Sequence, residues 1–435
     1  MTNYIILALC VIIILAYIFD ITYKFSKIPG VILLIALGML IRVLSDYFGL
    51  HIPDMKPLLP VIGTLGLIMI VMEASLDIDL NKNKRSLIFK SVSSALVLLI
   101  VFVAVFAFIL TGLFKLSLHD SILNAIPFGI ISSSVAIPSA VNLLSEEKEF
   151  VVYESSFSDI LGIMAFEFIL LNQGSLASGL LFFIRDVVFT LIIALVSTAF
   201  LGYLLHKISY HVNYVIILTF VILIYVIAEL IHMPALLLVL VFGLVLSNNK
   251  FLEIDFIEKF IDFTKFRKDI DNFRKILGEL TFLVRSFFFI MFGFYTDMYN
   301  LFNMSNILTA VLICSGIFGF RWIYFKYILR LPPAPLFFFA PRGLITILLF
   351  LSIPVESEIL LLSDEVVTLV ILITIIVMMN GNFFRKKRQE TEKADTIAGC
   401  NNEKTPDLVT SNNILTEGNA TNNNVSESPL TDNPV

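Results

Sequence analysis

The chain has 435 residues, of which 58% are hydrophobic and 15% charged, with a mean hydropathy of +0.93 and a formal net charge of −5. Average soluble domains carry about a quarter charged residues, so this composition excludes a soluble globular protein and indicates an integral membrane protein. Cys10, Cys314 and Cys400 are scattered without pairing or metal-ligand spacing, which implies neither a disulfide framework nor a zinc site.

The apolar stretch from about 4 to 20 has no basic residue before it and no small-residue cleavage site, and is read as a first span rather than a signal peptide. Further apolar runs fall near 30–46, 58–78, 89–113, 120–143, 152–172, 178–204, 213–231, 234–247, 277–296, 305–326, 334–353 and 361–380. Most have the roughly 17 to 25 residues needed to cross about 30 Å of hydrocarbon, giving an all-α membrane protein of about thirteen transmembrane helices. Charge placement agrees with that count. An outer N-terminus and a cytoplasmic C-terminus put Lys24, Lys27, Lys82, Lys84, Arg85, Lys90, Lys148, Lys207, the basic run from Lys250 to Lys275, Lys326, Arg330 and the RKKR run at 385–388 on one side. Only Lys56, Lys115 and Arg185 fall on the other, as the positive-inside rule requires. The expected location is the plasma (inner) membrane.

Two regions are not spans. In 250–276, KFLEIDFIEKFIDFTKFRKDIDNFRKI, Phe and Ile recur at spacings of three and four among charges, the pattern of an amphipathic helix on the cytoplasmic surface linking two halves of the molecule. The transmembrane domain therefore covers 1–384. From 385 onward the basic run gives way to Asn, Thr, Ser, Glu and Asp with almost no aromatics, the composition of a disordered cytoplasmic tail.

Few ionisable residues lie inside spans: Arg42, Glu73, Glu154, Asp159, Glu167, Glu229, Arg285, Arg321 and Arg342. An acidic residue at a span centre costs roughly 2.5 to 3.5 kcal/mol on insertion scales, so each needs a partner or a function. Arg42, Glu167, Glu229 and Arg285 lie toward span ends or lack polar neighbours, and are assigned to ion pairs or to side chains reaching the interface. Glu154 and Asp159 stand in a different setting, YESSFSDILGIM. Ser155 is one turn before Asp159, and Glu154 one turn before Ser158, so one helix carries two hydroxyl–carboxylate pairs. A hard monovalent cation is served by carboxylate, hydroxyl and backbone carbonyl oxygens.

The preceding span supplies the carbonyls. PFGIISSSVAIPSAV, 127–141, places Pro127, Gly129, Ser132 to Ser134 and Pro138 at mid-membrane, which predicts an unwound centre lining a cavity; a kinked continuous helix is the alternative. The twelfth span repeats the device in FFFAPRGLITILL, with Pro341, Arg342 and Gly343 in succession. Two interrupted spans point to an inverted-repeat transporter with a midplane site. There Arg342 is expected to neutralise the C-terminal ends of the half-helices with Glu154 as its partner, Arg321 being the other candidate. Glu73, in the third span, either hands a cation on to Asp159 or reaches the interface; the sequence leaves both open.

MEASLDIDL (72–80), SSSVAIPSAV (132–141), ESSFSD (154–159) and PRG (341–343) together resemble the monovalent cation:proton antiporters, in the branch of NhaP and the eukaryotic Na⁺/H⁺ exchangers, over residues 1 to 384. The resemblance implies the antiporter fold with two crossed broken helices. It also implies a homodimer in which a six-helix core moves like an elevator against a dimerisation domain. By position it makes Asp159 the ion-binding aspartate, Ser155 and Glu73 contributors of ligands, Ser132 the residue whose carbonyl faces the ion, and Glu154 with Arg342 a core ion pair. Ser158 takes the place of the family's Asn before that aspartate, and Ser132–Ser133–Ser134 the place of Thr-Asp-Pro. The second change removes an acid and leaves Arg321 without an obvious partner.

The function these readings imply is exchange of Na⁺, or Li⁺ or K⁺, for H⁺ at Asp159, electroneutral and 1:1. The ions are substrates, no cofactor is called for, and the partners are membrane lipid and a second copy of the chain, with no nucleic acid and no enzymatic role. A K⁺/H⁺ antiporter and an organic-anion carrier of the same fold are the alternatives. An intramembrane aspartyl protease would need a second membrane aspartate, and the sequence offers no companion to Asp159.

Overall fold

The computed structural model describes residues 2–26, 28–49, 57–77, 85–140, 143–171, 176–207, 213–231, 233–247, 263–330, 335–359 and 361–381. These residues are nearly all helical, and none is in a strand. Helices α1 (Thr2–Ser26), α2 (Gly30–Phe48), α3 (Leu58–Asp77), α4 (Arg85–Phe114), α5 (Leu118–Gly129), α6 (Ser133–Ser139) and α7 (Ser145–Leu171) make up the first half. They are followed by α8 (Leu176–Lys207), α9 (Asn213–Leu230), α10 (Ala235–Ser247), α11 (Phe263–Tyr295), α12 (Met304–Ile323), α13 (Leu344–Leu351) and α14 (Asp364–Gly381). The last six residues of the span that starts with α12 wind into a π-helical stretch, Tyr324–Leu329, and a single 3-10 turn, Leu336–Phe338, precedes α13.

Among the described residues, 7 helical segments are long and apolar enough to cross a membrane, α5 and α6 counting together, and four shorter apolar ones accompany them in α1, α8, α9 and α10. The charged α7 and the interrupted segment ending in α13 complete a set in keeping with the thirteen expected spans. Large apolar side chains face outward on these helices, Phe108 at 77% exposure and Val196 at 63% among them, which suits contact with acyl chains.

The helices pack in two groups. In one, α11 lies against α1, α2, α3, α8 and α9, and α10 joins it through α3, α8 and α9. In the other, α4 packs on α5, α7 and α12, and α5 and α6 pack on α7. Contact between the groups runs through α3 to α7 and α13, and through α10 to α7. The α2–α11 seam is close because two glycines face each other's backbones. A Cβ on Gly38 would stand 2.1 Å from the Ile290 carbonyl oxygen, and one on Gly293 would stand 2.2 Å from that of Ile35. Small residues at such seams let membrane helices approach where no hydrophobic effect pulls them together. Arg42 closes the same seam by donating to the carbonyls of Phe294, Tyr295 and Thr296, at 3.3 to 3.4 Å, where α11 ends.

One element differs from the sequence reading. Of the surface helix expected over 250–276, residues 263–276 are the first turns of α11 and continue without a break into the span. At 33 residues, α11 is about 50 Å long and exceeds the hydrocarbon thickness, so the polar start of one helix has the sequence signature of a separate one. Residues 250–262 and the tail from 382 lie outside the described residues.

Candidate functional site

Two interrupted segments meet at the centre of the second group. Helix α5 stops at Gly129, residues 130–132 are extended (Ile130 φ −85°, ψ 131°; Ser132 φ −77°, ψ 115°), and α6 begins at Ser133. In the other segment, residues 339–343 separate the 3-10 turn from α13. The two breaks are joined by a backbone bond, the Ser132 N–H donating to the Pro341 carbonyl at 2.9 Å. Unwound backbone at membrane depth must find partners in protein, and here the breaks serve each other. Gly343 makes the crossing possible, because a Cβ there would lie 2.6 Å from the Ser132 hydroxyl. Gly162 does the same for α7, where a Cβ would meet the Ile130 side chain at 2.3 Å.

The remaining groups of the break are taken by α7 and by Arg342. The Ser158 hydroxyl accepts from the Ile131 N–H at 2.9 Å, and Asp159 Oδ2 accepts from the Ser133 N–H at 3.1 Å. Arg342, 3% exposed, donates from Nε to the Phe128 carbonyl at the end of α5 (2.8 Å) and from Nη1 to the Ala340 carbonyl (2.9 Å). Its own N–H donates to Thr374 Oγ1 of α14 at 3.0 Å. A buried cation beside two carbonyl ends replaces the helical donors they lack.

Asp159 is 3% exposed, and its Oδ1 finds no donor among the described residues. The Ser133 hydroxyl stands beside the same carboxylate. A buried carboxylate oxygen without a partner is costly, and the cost is relieved when a proton or a metal ion takes it.

The sequence-predicted residues are distributed unevenly around this point. Ser155 donates its hydroxyl to the carbonyls of Val151 (2.7 Å) and Val152 (3.3 Å) in its own helix. The Ser132 carbonyl accepts from the Ala136 N–H at 3.0 Å as α6 begins, and its hydroxyl pairs with that of Ser134 at 3.0 Å. Ser158 is engaged by the broken backbone. Glu73 is half-buried with Oε1 facing Gly278 of α11, 3.5 Å from where a Cβ would stand.

The partner of Glu154 is Arg321, which corrects the expected Glu154–Arg342 pair. Arg321 donates Nη1 to Oε1 at 2.8 Å and Nη2 to Oε2 at 2.7 Å, with both side chains 1% exposed. Ser94 of α4 donates to the same carboxylate. The Arg321 Nε and Nη2 also reach the carbonyls of Leu336, Phe337 and Phe339, and its guanidinium stacks 4.7 Å above the Phe325 ring. Arg342 is occupied by carbonyls, so the fork geometry of Arg321 takes the acid.

Two residues set aside in the sequence reading make contacts between the groups. Arg285 of α11 donates to the Ser134 carbonyl of α6 at 3.2 Å. Glu167 of α7 accepts from the Leu236 N–H at the start of α10, at 3.4 Å, and its Oε2 is buried without a partner among the described residues. Intramembrane charge was the signal available for both.

A family model described as "Sodium/hydrogen exchanger, transmembrane" matches residues 10–384. The chain belongs to the sodium/hydrogen exchanger family. The match covers the spans and stops at the tail, and it makes this exchanger a transporter rather than an enzyme. No curated protein matches the chain. Among solved structures, the chain is similar to the sodium proton antiporter MjNhaP1 from Methanocaldococcus jannaschii. Its structure at pH 8 has a TM-score of 0.65 at 18% identity, covering 86% of this exchanger and 98% of that chain. An electron-microscopy structure of MjNhaP1 gives a TM-score of 0.63 at 18% identity, covering 94% and 100%. At that identity the likeness establishes the fold.

Proposed function

We propose that this exchanger trades one monovalent cation, Na⁺ or alternatively Li⁺ or K⁺, for one proton at Asp159. The observation that carries the proposal is the buried Asp159 carboxylate, held through Oδ2 by the Ser133 N–H while Oδ1 has no donor among the described residues. One carboxylate neutralised by either ion makes the exchange electroneutral. An ionised, unoccupied site resists transfer across the hydrocarbon, and a neutral one does not. That difference is the coupling: the site crosses loaded with cation or loaded with proton.

Ser155 supports cation binding with an oxygen whose proton is already committed to its own helix. The second group of helices, which holds the crossing, is the unit that moves, and the first is the scaffold through which two copies associate. The C-terminus faces the cytoplasm. An organic-anion carrier needs a free cation at the crossing, whereas Arg321 and Arg342 are both engaged by Glu154 and by backbone carbonyls.

The test is whether Na⁺, Li⁺ or K⁺ dissipates a preset pH gradient in proteoliposomes with the membrane potential clamped. Cation-dependent, potential-independent proton flux is expected. Flux that follows the potential, or a pH gradient indifferent to all three cations, would contradict the reading.

A further inference from the structure

The contact between Arg285 and Ser134 joins the two helix groups next to the ion site, and the sequence explains why it exists. In α6 the Ser132 carbonyl receives the Ala136 N–H. Two residues on, the Ser134 carbonyl would receive the N–H of residue 138, but that residue is Pro138 and has none. The break in the ladder therefore leaves a carbonyl at membrane depth without its helical donor, and Arg285 Nη1 fills it from α11, at 3.2 Å. Both side chains are half-buried, and Arg285 also lies 5.9 Å over the Phe282 ring. Along the chain, Ser134, whose carbonyl Arg285 holds, follows Ser133, whose N–H holds Asp159.

We propose that Arg285 is a positioning residue of the exchange cycle: it supplies the donor that Pro138 removes, and so fixes the first turn of α6, and with it the Asp159 carboxylate, against the scaffold. The proposal rests on the reading of Asp159 as the exchange site. It assigns Arg285 no contact with the transported ion. Since Arg285 and Ser134 belong to different helix groups, their bond must yield whenever the groups shift relative to each other, and it sets how well the cation site is ordered while it holds.

Four proteins test this: the wild type, Arg285→Lys, Arg285→Gln and Arg285→Gln combined with Pro138→Ala. Two measurements are made on each, amide hydrogen exchange across 133–139 in detergent and half-saturating cation concentration in proteoliposomes. Arg285→Gln is expected to speed exchange of these amides and to raise half-saturation by about threefold or more, in line with couplings between residues in contact. Arg285→Lys, which keeps a cationic donor, stays near wild type. Pro138→Ala returns the missing N–H and is expected to reverse most of both defects. Defects in the double variant as large as those of Arg285→Gln or larger, or an Arg285→Gln protein that matches wild type in both measurements, would overturn the proposal. If Arg285→Gln does not fold, recovery of a folded protein in the double variant supports it, and failure of that recovery counts against it. A wild type without cation-dependent proton flux would sink the exchange reading alone, while hydrogen exchange would still decide the role of Arg285.

Discussion

Arg321 and Glu154 form a two-pronged ion pair at 2.8 and 2.7 Å, fully inside the helix bundle and anchored on three carbonyls around the second break. The pair ties α12 and the segment before α13 to α7, the helix that carries Asp159. Breaking one partner leaves a buried charge, at a cost of about 3–5 kcal/mol. Glu154→Gln and Arg321→Met should each lower the thermal unfolding midpoint in detergent, and Glu154→Leu with Arg321→Met should recover part of the loss. Single variants as stable as wild type would show that the pair does not hold these segments together.

Arg342 has a different task, satisfying the carbonyls of Phe128 and Ala340. Arg342→Ala leaves both unpaired, each at about 1–3 kcal/mol. The expected result is a lower unfolding midpoint together with a reduced maximal exchange rate, measured on the same preparation. Arg342→Lys, with a point charge and no fork, should retain only part of both.

Gly162 leaves room for Ile130 in the extended segment. Gly162→Ala is expected to destabilise by about 1–3 kcal/mol through overpacking. Ile130→Ala alone leaves a cavity and should itself cost about 2–5 kcal/mol, but it removes the atoms that an alanine at 162 would strike, so the double variant should lose less than the sum of the two single losses. Strictly additive losses would place the clash elsewhere.

A shared carboxylate makes the cation and the proton competitors. As pH falls, half-saturating cation concentration should rise, approaching about tenfold per pH unit once the site is mostly protonated. Flux at varied cation and pH in proteoliposomes reads this directly. Half-saturation that does not move with pH would mean that the two ions use different sites.

The breaks were legible in the sequence because their causes are local: Pro127, Gly129 and Pro138 in one span and Pro341 to Gly343 in the other act on their own turns. Asp159 was legible as an acid that the membrane makes costly. Which of Arg342 and Arg321 pairs with Glu154 was not, because Arg321 is 167 residues away and only the folded path of the 336–339 turn turns its fork onto the acid while Arg342 is spent on carbonyls. Arg285 was missed for a related reason. Pro138 announces a carbonyl in need of a donor, yet nothing in one sequence says which helix brings it. Of the amphipathic helix expected over 250–276, the part from 263 runs on into the next span, because amphipathic spacing gives no sign that a helix continues into the following apolar run.

The central claim is that Asp159 holds a proton or an alkali cation and never both. Proton release on cation addition to purified protein in weakly buffered detergent tests it most directly. At a pH where the site is protonated, the wild type should release about one proton per cation bound, and Asp159→Asn should show neither binding nor release. Cation binding without proton release in the wild type, or cation-dependent release retained by Asp159→Asn, would contradict the account.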